Sequence, residues 1–238
     1  MQEDPRQVSA RENTGSRFQI HLVTDRNAAR EDLATAVHAA LRGGLDCVQV
    51  REKKGPASRL YETTRSLLPA ARERGARLLV NDRVDVALAC AADGVHLPGA
   101  GLPPQAARSL LGEGALIGVS VHGLDEARAA IEAGANYVTF GHVHPTASKP
   151  GSPPAGIRKL AEVVEGVEAP VLAVGGIDAS NVDEVLATGA AGAAVISAIL
   201  AASDPESATL RLREAVESSG HLPKHAFPTR DAAKRGDS

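Results

Sequence analysis

Short apolar runs alternate regularly with longer segments of helical spacing along this chain, and this alternation limits the folds it can adopt. Between the runs, apolar residues recur every three or four positions, and several of these segments end at glycine, a common helix stop. Alternating strands and helices predict a parallel sheet, and strands that are apolar throughout suit a sheet covered on both faces. The runs, in chain order, are FQIHLVT, DCVQVR, RLLVN, DGVHL, LIGVS, NYVTF, PVLAVGG and AAVIS.

Eight strand–helix units in a chain of 238 residues predict a single (β/α)8 TIM barrel with parallel strands rather than an open doubly wound sheet. We expect the barrel over residues 18–219. Residues 1–17 and 220–238 are polar and lack apolar periodicity, so we predict that both are disordered tails. Aromatic residues make up only 2% of the chain, and the core must therefore consist of aliphatic side chains.

Composition also limits the partners and the compartment. A net charge of -3 argues against a broad nucleic-acid-binding face or a polybasic membrane anchor. No apolar run is long enough to span a membrane, and the N-terminus lacks the apolar centre of a secretory signal. Cys47 and Cys90 lie in apolar runs, as buried thiols do in a reducing compartment. We expect a cytoplasmic protein; the sequence leaves open whether it forms a homo-oligomer.

Polar residues collect where the predicted strands end. In barrels of this kind, the active site lies at the C-terminal ends of the strands and in the loops that follow. We therefore predict one site there, which binds its substrate through Gln49, Arg51, Lys53, Asn81, Ser120, Thr146, Ser148, Lys149, Gly176 and Ser197, with His122 as the candidate catalytic residue.

The last two strand ends favour a phosphate group. The pair Gly175-Gly176 would let the backbone approach an anion, and a short helix starting at Ser197 would direct unpaired N–H groups toward it. The alternative is that the two glycines only form a tight turn.

The stretch GHVHPTASK, which follows the sixth run, suits a substrate-contacting loop. Its hydroxyls and its ammonium group, at Thr146, Ser148 and Lys149, would contact an oxyanion. The alternative is a solvated loop. A metal at His142 and His144 would need further ligands, and none is obvious nearby.

Three other strand ends each carry two interpretations. Arg51 would bind a carboxylate or phosphate together with Gln49 and Lys53, or would form a rim ion pair with the adjacent Glu52. At the third strand end, Asn81 and Asp82 would contact a ligand or metal, or Asp82 would only cap the next helix. After the fifth, His122 would transfer protons near neutral pH, or would be an ordinary loop histidine beside Ser120.

Taken in order, FQIHLVTDR, VQVREK, LLVNDRVDVALACAADGVHL, IGVSVHGLDEA, PTASK, VLAVGGI and AVISAIL resemble the thiamine phosphate synthase / TenI (thiazole tautomerase) superfamily over roughly residues 18–202. The resemblance implies a (β/α) barrel that binds a thiazole phosphate in thiamine biosynthesis. A synthase of this superfamily joins hydroxymethylpyrimidine diphosphate to the thiazole phosphate and needs magnesium. A tautomerase shifts a proton on a carboxylated thiazole phosphate and needs no metal.

The resemblance separates the two activities at few positions. Synthases carry an aspartate that helps to hold magnesium where this chain has Gly101, which leaves Asp82 as the lone candidate ligand. The GHV and SVH stretches resemble the tautomerase, whereas Pro145-Thr146 and the aspartate of NDR resemble the synthase. On this basis we expect an isomerase, a thiazole tautomerase without a cofactor. The alternatives are a synthase that uses Mg²⁺ through Asp82, and a non-catalytic regulator that binds a phosphate ligand.

Overall fold

The computed structural model describes residues 18–52, 55–149 and 151–228, and it forms a closed barrel of eight parallel strands in chain order. Each strand pairs with its neighbours in sequence, and the first strand closes the barrel against the last. The strands are β1 (Gln19–Val23), β2 (Cys47–Val50), β3 (Arg77–Asn81), β4 (Gly94–Leu97), β5 (Leu116–Val121), β6 (Tyr137–Gly141), β7 (Val171–Val174) and β8 (Gly192–Val195).

Helices follow the strands and cover the outside of the barrel, which confirms the predicted (β/α)8 fold. Alternate strand residues such as Ile20 and Leu22 face these helices in one continuous aliphatic core. The helices are α1 (Leu33–Arg42), α2 (Ala57–Glu73), α3 (Val84–Cys90), α4 (Pro104–Leu111), α5 (Leu124–Glu132), α6 (Ile157–Gly166), α7 (Val182–Leu186), α8 (Ser197–Leu200) and α9 (Pro205–Ser218).

The interior of the barrel is filled by a second, smaller cluster around Tyr137. Tyr137 is fully buried, and Gly118 on the neighbouring strand β5 leaves room for its ring. A Cβ atom at Gly118 would lie 2.1 Å from that ring, so no larger residue fits there without a shift. Cys47 and Leu79 pack in the same cluster, and Cys47 and Cys90 are buried free thiols, as predicted.

The C-terminal segment, residues 220–228, packs on the barrel although the sequence predicted a disordered tail from residue 220. Phe227 is 4% exposed, and its ring centroid lies 5.1 Å from that of Tyr137 and 5.3 Å from that of His21. Arg77 donates a hydrogen bond to the Pro228 carbonyl at 2.5 Å. One aromatic residue in a polar stretch produces no periodic signal, which explains the difference. Residues 1–17 and 229–238 lie outside the described residues.

A buried ion pair ties α9 to the start of the barrel. Arg213 contacts the Asp46 carboxylate and donates to the carbonyls of Gly44, at 2.8 Å, and Phe18, at 3.2 Å. Asp46 also accepts a hydrogen bond from the Ile20 amide at 2.7 Å. These contacts leave the opposite, C-terminal ends of the strands free to form a site. None of the helices in the described ranges is long and apolar enough to cross a membrane.

Candidate active site

A cavity of about 480 Å³ lies at the C-terminal ends of the strands, within the size range of small-molecule sites. The structure thus brings the predicted site residues together. Lys53 is the exception, because it falls outside the described residues. The predicted residues that line the cavity are Gln49, Arg51, Asn81, Ser120, His122, Thr146, Ser148, Lys149, Gly176 and Ser197.

Arg51, just beyond β2, supplies a positive charge on one wall of the cavity. Its amide donates to the buried Thr24 hydroxyl at 2.8 Å, which fixes the backbone at this strand end. Burial lowers the pKa of Arg51, but a guanidinium stays charged near neutral pH. Glu52 does not pair with Arg51; it accepts from Arg26 at 2.9 Å. Arg51 is therefore not engaged by Glu52, which leaves the anion-binding interpretation in place.

Two amides next to Arg51 orient each other. Gln49 is buried, and its Nε2 donates to Asn81 Oδ1 at 2.8 Å. This bond holds the Asn81 side chain at the end of β3 so that its own N–H groups are available as donors. The cavity floor thus presents donors from neighbouring strands, an arrangement that suits an oxyanion or a heterocycle.

A buried histidine of β4 is part of the cavity wall, although the sequence did not indicate its role. His96 is 3% exposed; its Nε2 lies 2.9 Å from Ser120 Oγ and its Nδ1 lies 3.0 Å from the Tyr137 hydroxyl. Burial and the nearby Arg51 lower the pKa of His96 to about 4, so the ring is neutral at pH 7. The signal in the sequence is the alternation along β4, which puts His96 on the opposite face of the strand from its two neighbours. In the strand register His96 lies opposite Asn81 and Gly118.

The β6–α6 loop, residues 142–156, supplies the second cation of the cavity. Lys149 Nζ lies 3.4 Å from His122 Nε2, and His122 Nδ1 lies 3.4 Å from Glu126. His122 has a side chain that is 58% exposed, so it stands at the rim. Thr146 accepts a hydrogen bond from the Ser148 amide at 3.3 Å, which shapes the turn that carries Lys149.

His142 and His144, which the sequence left without a role, hold the β6–α6 loop in place. His142 is buried, lines the cavity and contacts the Ser152 carbonyl at 3.1 Å. His144 lies 3.4 Å from the Glu184 carboxylate on α7, close enough for an ion pair when the ring is protonated. Both side chains therefore contact protein groups.

The two glycines after β7 have left-handed backbone conformations and lie against the β6–α6 loop. Gly175 has φ 101° and Gly176 has φ 66°. A Cβ atom at Gly176 would lie 2.4 Å from the Pro145 carbonyl oxygen, so the two loops touch here. Both the tight turn and the close backbone approach are present. Ser197, which begins α8, lines the same part of the cavity.

Asp82 does not cap the following helix. Arg83 occupies the N-cap position of α3, and no side chain caps it. Asp82 is exposed, has φ 66° and follows Asn81 directly, but it is not among the residues that line the cavity. In the part of the chain that the structure describes, no group of three or more His, Cys, Asp or Glu side chains is placed to hold a metal ion.

A (β/α)8 barrel with a polar cavity at its strand C-termini is the architecture of the TIM-barrel enzymes, which bind small molecules at this position. The family model described as thiamine monophosphate synthase matches residues 20–199. The chain belongs to this family.

Curated relatives agree on one activity in their names. A protein of Geobacter sulfurreducens, provisionally named a thiamine-phosphate synthase, is 52% identical over 79% of this chain and 89% of its own length. The thiamine-phosphate synthase of a Roseiflexus species is 45% identical over 84% of this chain and 86% of its own. The structure of a thiamine phosphate pyrophosphorylase from Pyrococcus furiosus, 39% identical, superposes with a TM-score of 0.78 over 85% of this chain and 97% of that one.

These names contradict the expectation of a thiazole tautomerase, which was wrong. That expectation depended on Gly101 in place of a carboxylate and on His122 as a proton shuttle. One missing carboxylate does not exclude magnesium, because Mg²⁺ is often bound by one or two carboxylates together with substrate phosphates. His122 stands at the exposed rim beside Lys149, and its proposed shuttle role falls with the tautomerase interpretation.

Proposed function

We propose that this chain is a thiamine-phosphate synthase, which couples hydroxymethylpyrimidine diphosphate to a thiazole phosphate. The observation that carries the proposal is that relatives 45% identical over more than four-fifths of the chain have this name. In the reaction, the thiazole nitrogen bonds to the pyrimidine methylene carbon as the bond from that carbon to the diphosphate oxygen breaks. Diphosphate leaves with the electron pair.

The charges around the cavity suit a substrate that carries a diphosphate. Arg51 and Lys149 would neutralise the charge that develops on the leaving diphosphate, and charge-assisted hydrogen bonds of this kind are about twice as strong as neutral ones. Thr146 and Ser148 add hydroxyl groups on the same loop. Gly176 and Ser197 would bind the phosphate of the thiazole on the adjacent wall, through backbone N–H groups.

Magnesium stays a prediction of this proposal. When bound, the ion would neutralise the diphosphate of the substrate. Asp82 is the carboxylate of this chain at the right strand end, and it would hold the ion together with diphosphate oxygens and water. Such a shared site needs only one or two carboxylates from the protein.

The deciding experiment is a product assay with the purified full-length chain. The protein is mixed with hydroxymethylpyrimidine diphosphate, the thiazole phosphate and magnesium, and thiamine phosphate and released diphosphate are quantified. We expect the two products in equal amounts. Binding of both substrates without either product would contradict the proposal and favour a non-catalytic phosphate-binding protein.

A further inference from the structure

The buried histidine His96 lies between two hydroxyl groups, and this arrangement determines the direction of the hydrogen bonds around it. Its Nδ1 is 3.0 Å from the Tyr137 hydroxyl and its Nε2 is 2.9 Å from Ser120 Oγ. Burial and Arg51 lower the pKa of His96 to about 4, so the ring carries one N–H near pH 7. One ring nitrogen must donate and the other must accept.

Tyr137 decides which nitrogen accepts. It is fully buried, and in the described part of the chain its hydroxyl has His96 as its only hydrogen-bond partner. If Nδ1 donated to this hydroxyl, the phenolic proton would be buried without an acceptor, which is costly. Tyr137 therefore donates to Nδ1. The proton of His96 is then on Nε2, which donates to Ser120 Oγ.

We infer that Tyr137 and His96 hold Ser120 with its hydroxyl proton pointing into the cavity, so that Ser120 is a hydrogen-bond donor to the ligand. Ser120 lines the cavity, and the lone pair that faces His96 is already occupied. Its own O–H is then directed to a bound molecule. His96 and Tyr137 are positioning residues, and Ser120 is the group that touches substrate.

An oriented Ser120 hydroxyl specifies the ligand chemistry at one point of the site. The ligand atom that receives the Ser120 proton is an acceptor, such as an unprotonated ring nitrogen or a phosphate oxygen. The kinetic consequences rest on the proposed synthase function. The direction of the His96 hydrogen bonds does not, and it can be measured separately.

The first test is the tautomer of His96 in the unmodified chain. Protein labelled with ¹⁵N at histidine is examined at pH 7 by long-range ¹H–¹⁵N correlation, and the His96 signals are assigned by their loss in His96→Leu. We expect a protonated Nε2 and an unprotonated Nδ1. A protonated Nδ1, or comparable amounts of both tautomers, would overturn the inference, whatever reaction the protein catalyses.

The second test is a double-mutant cycle on thiamine phosphate formation. Ser120→Ala and His96→Leu should each lower kcat/KM about tenfold, as expected for loss of one oriented hydrogen bond. The double variant should be no worse than the more impaired single variant, because His96 has nothing to orient once the hydroxyl is gone. Losses that multiply would mean that His96 only fills the core, and would overturn the positioning role.

His21→Leu is the matched control for the cycle. His21 is also buried in the barrel interior, 5.8 Å from Tyr137 between ring centroids, but in the described ranges it makes no hydrogen bond to a residue of the cavity. This variant should change stability and leave kcat/KM within about twofold of the wild type. If the wild type makes no thiamine phosphate, the proposed function fails, and the tautomer measurement still decides the inference.

Discussion

Lys149 and His122 lie 3.4 Å apart at the cavity rim, yet they should contribute very differently to catalysis. A synthase must stabilise a departing diphosphate, a task that suits a permanent ammonium group. The proposed synthase reaction needs no proton shuttle at the rim, so in that reaction the imidazole has no step to perform.

The two side chains give a paired prediction. Lys149→Ala should lower kcat/KM by about 10- to 100-fold, the range expected for a hydrogen bond to a charged group. The neighbouring His122→Ala should lower it by less than about threefold. Initial rates of thiamine phosphate release measure both. A larger loss in His122→Ala than in Lys149→Ala would contradict the assignment of roles.

At the scale of elements, the β6–α6 and β7–α7 loops form one wall because Gly176 allows them to touch. Gly176→Ala would place a methyl group 2.4 Å from the Pro145 carbonyl oxygen and would strain a backbone at φ 66°. We expect KM for the thiazole phosphate to rise at least tenfold. Gly151→Ala is the control, because Gly151 has φ 77° and, in the described ranges, no atom beyond its chain neighbours lies within 4 Å of a Cβ placed there. This variant adds the same backbone strain without a steric clash and should leave KM near the wild-type value.

The C-terminal segment is a second element with a measurable role. Phe227→Ala should reduce the free energy of unfolding by about 3–5 kcal/mol, because it empties a packed position against Tyr137. Leu222→Ala in the same segment is the control, since Leu222 is 79% exposed and its loss should be nearly neutral. Chemical denaturation measures both. Equal effects would mean that Phe227 does not stabilise the barrel.

At the scale of the whole molecule, two buried histidines link stability to pH. Burial is the main cause that lowers the pKa of His21 to about 3 and that of His96 to about 4, below the ordinary value of 6.5. Below pH 6.5 the unfolded chain therefore binds more protons than the folded chain does. The free energy of unfolding falls as the pH decreases from 6.5 toward 4.

Thermal unfolding between pH 7 and pH 5 tests this linkage, because most carboxylates stay ionised over that window. The unfolding midpoint should fall as pH is lowered. In His21→Leu the midpoint should decrease less, because one of the two histidines with a lowered pKa is absent. A midpoint that does not change between pH 7 and pH 5 would contradict the buried neutral state of both rings.

The barrel fold, and the expectation of a site at the strand ends, could be inferred from the amino-acid sequence alone. Strand–helix alternation is a local pattern that repeats eight times, and a parallel barrel places every strand end on one face. Residues far apart in the chain, such as Arg51, Ser120 and Lys149, could therefore be assigned to one cavity before any contact was known.

The pairing of side chains across strands, by contrast, is visible only in the folded molecule. The two hydrogen bonds that link Tyr137, His96 and Ser120 join three different strands. The register that brings these side chains within 3 Å of each other depends on barrel closure and on the space left by Gly118. The packing of Phe227 against Tyr137 could not be predicted either, because the burial of a single side chain leaves no periodic pattern in the sequence. Local patterns specify elements, whereas the hydrogen-bond partners of a buried side chain depend on packing between them.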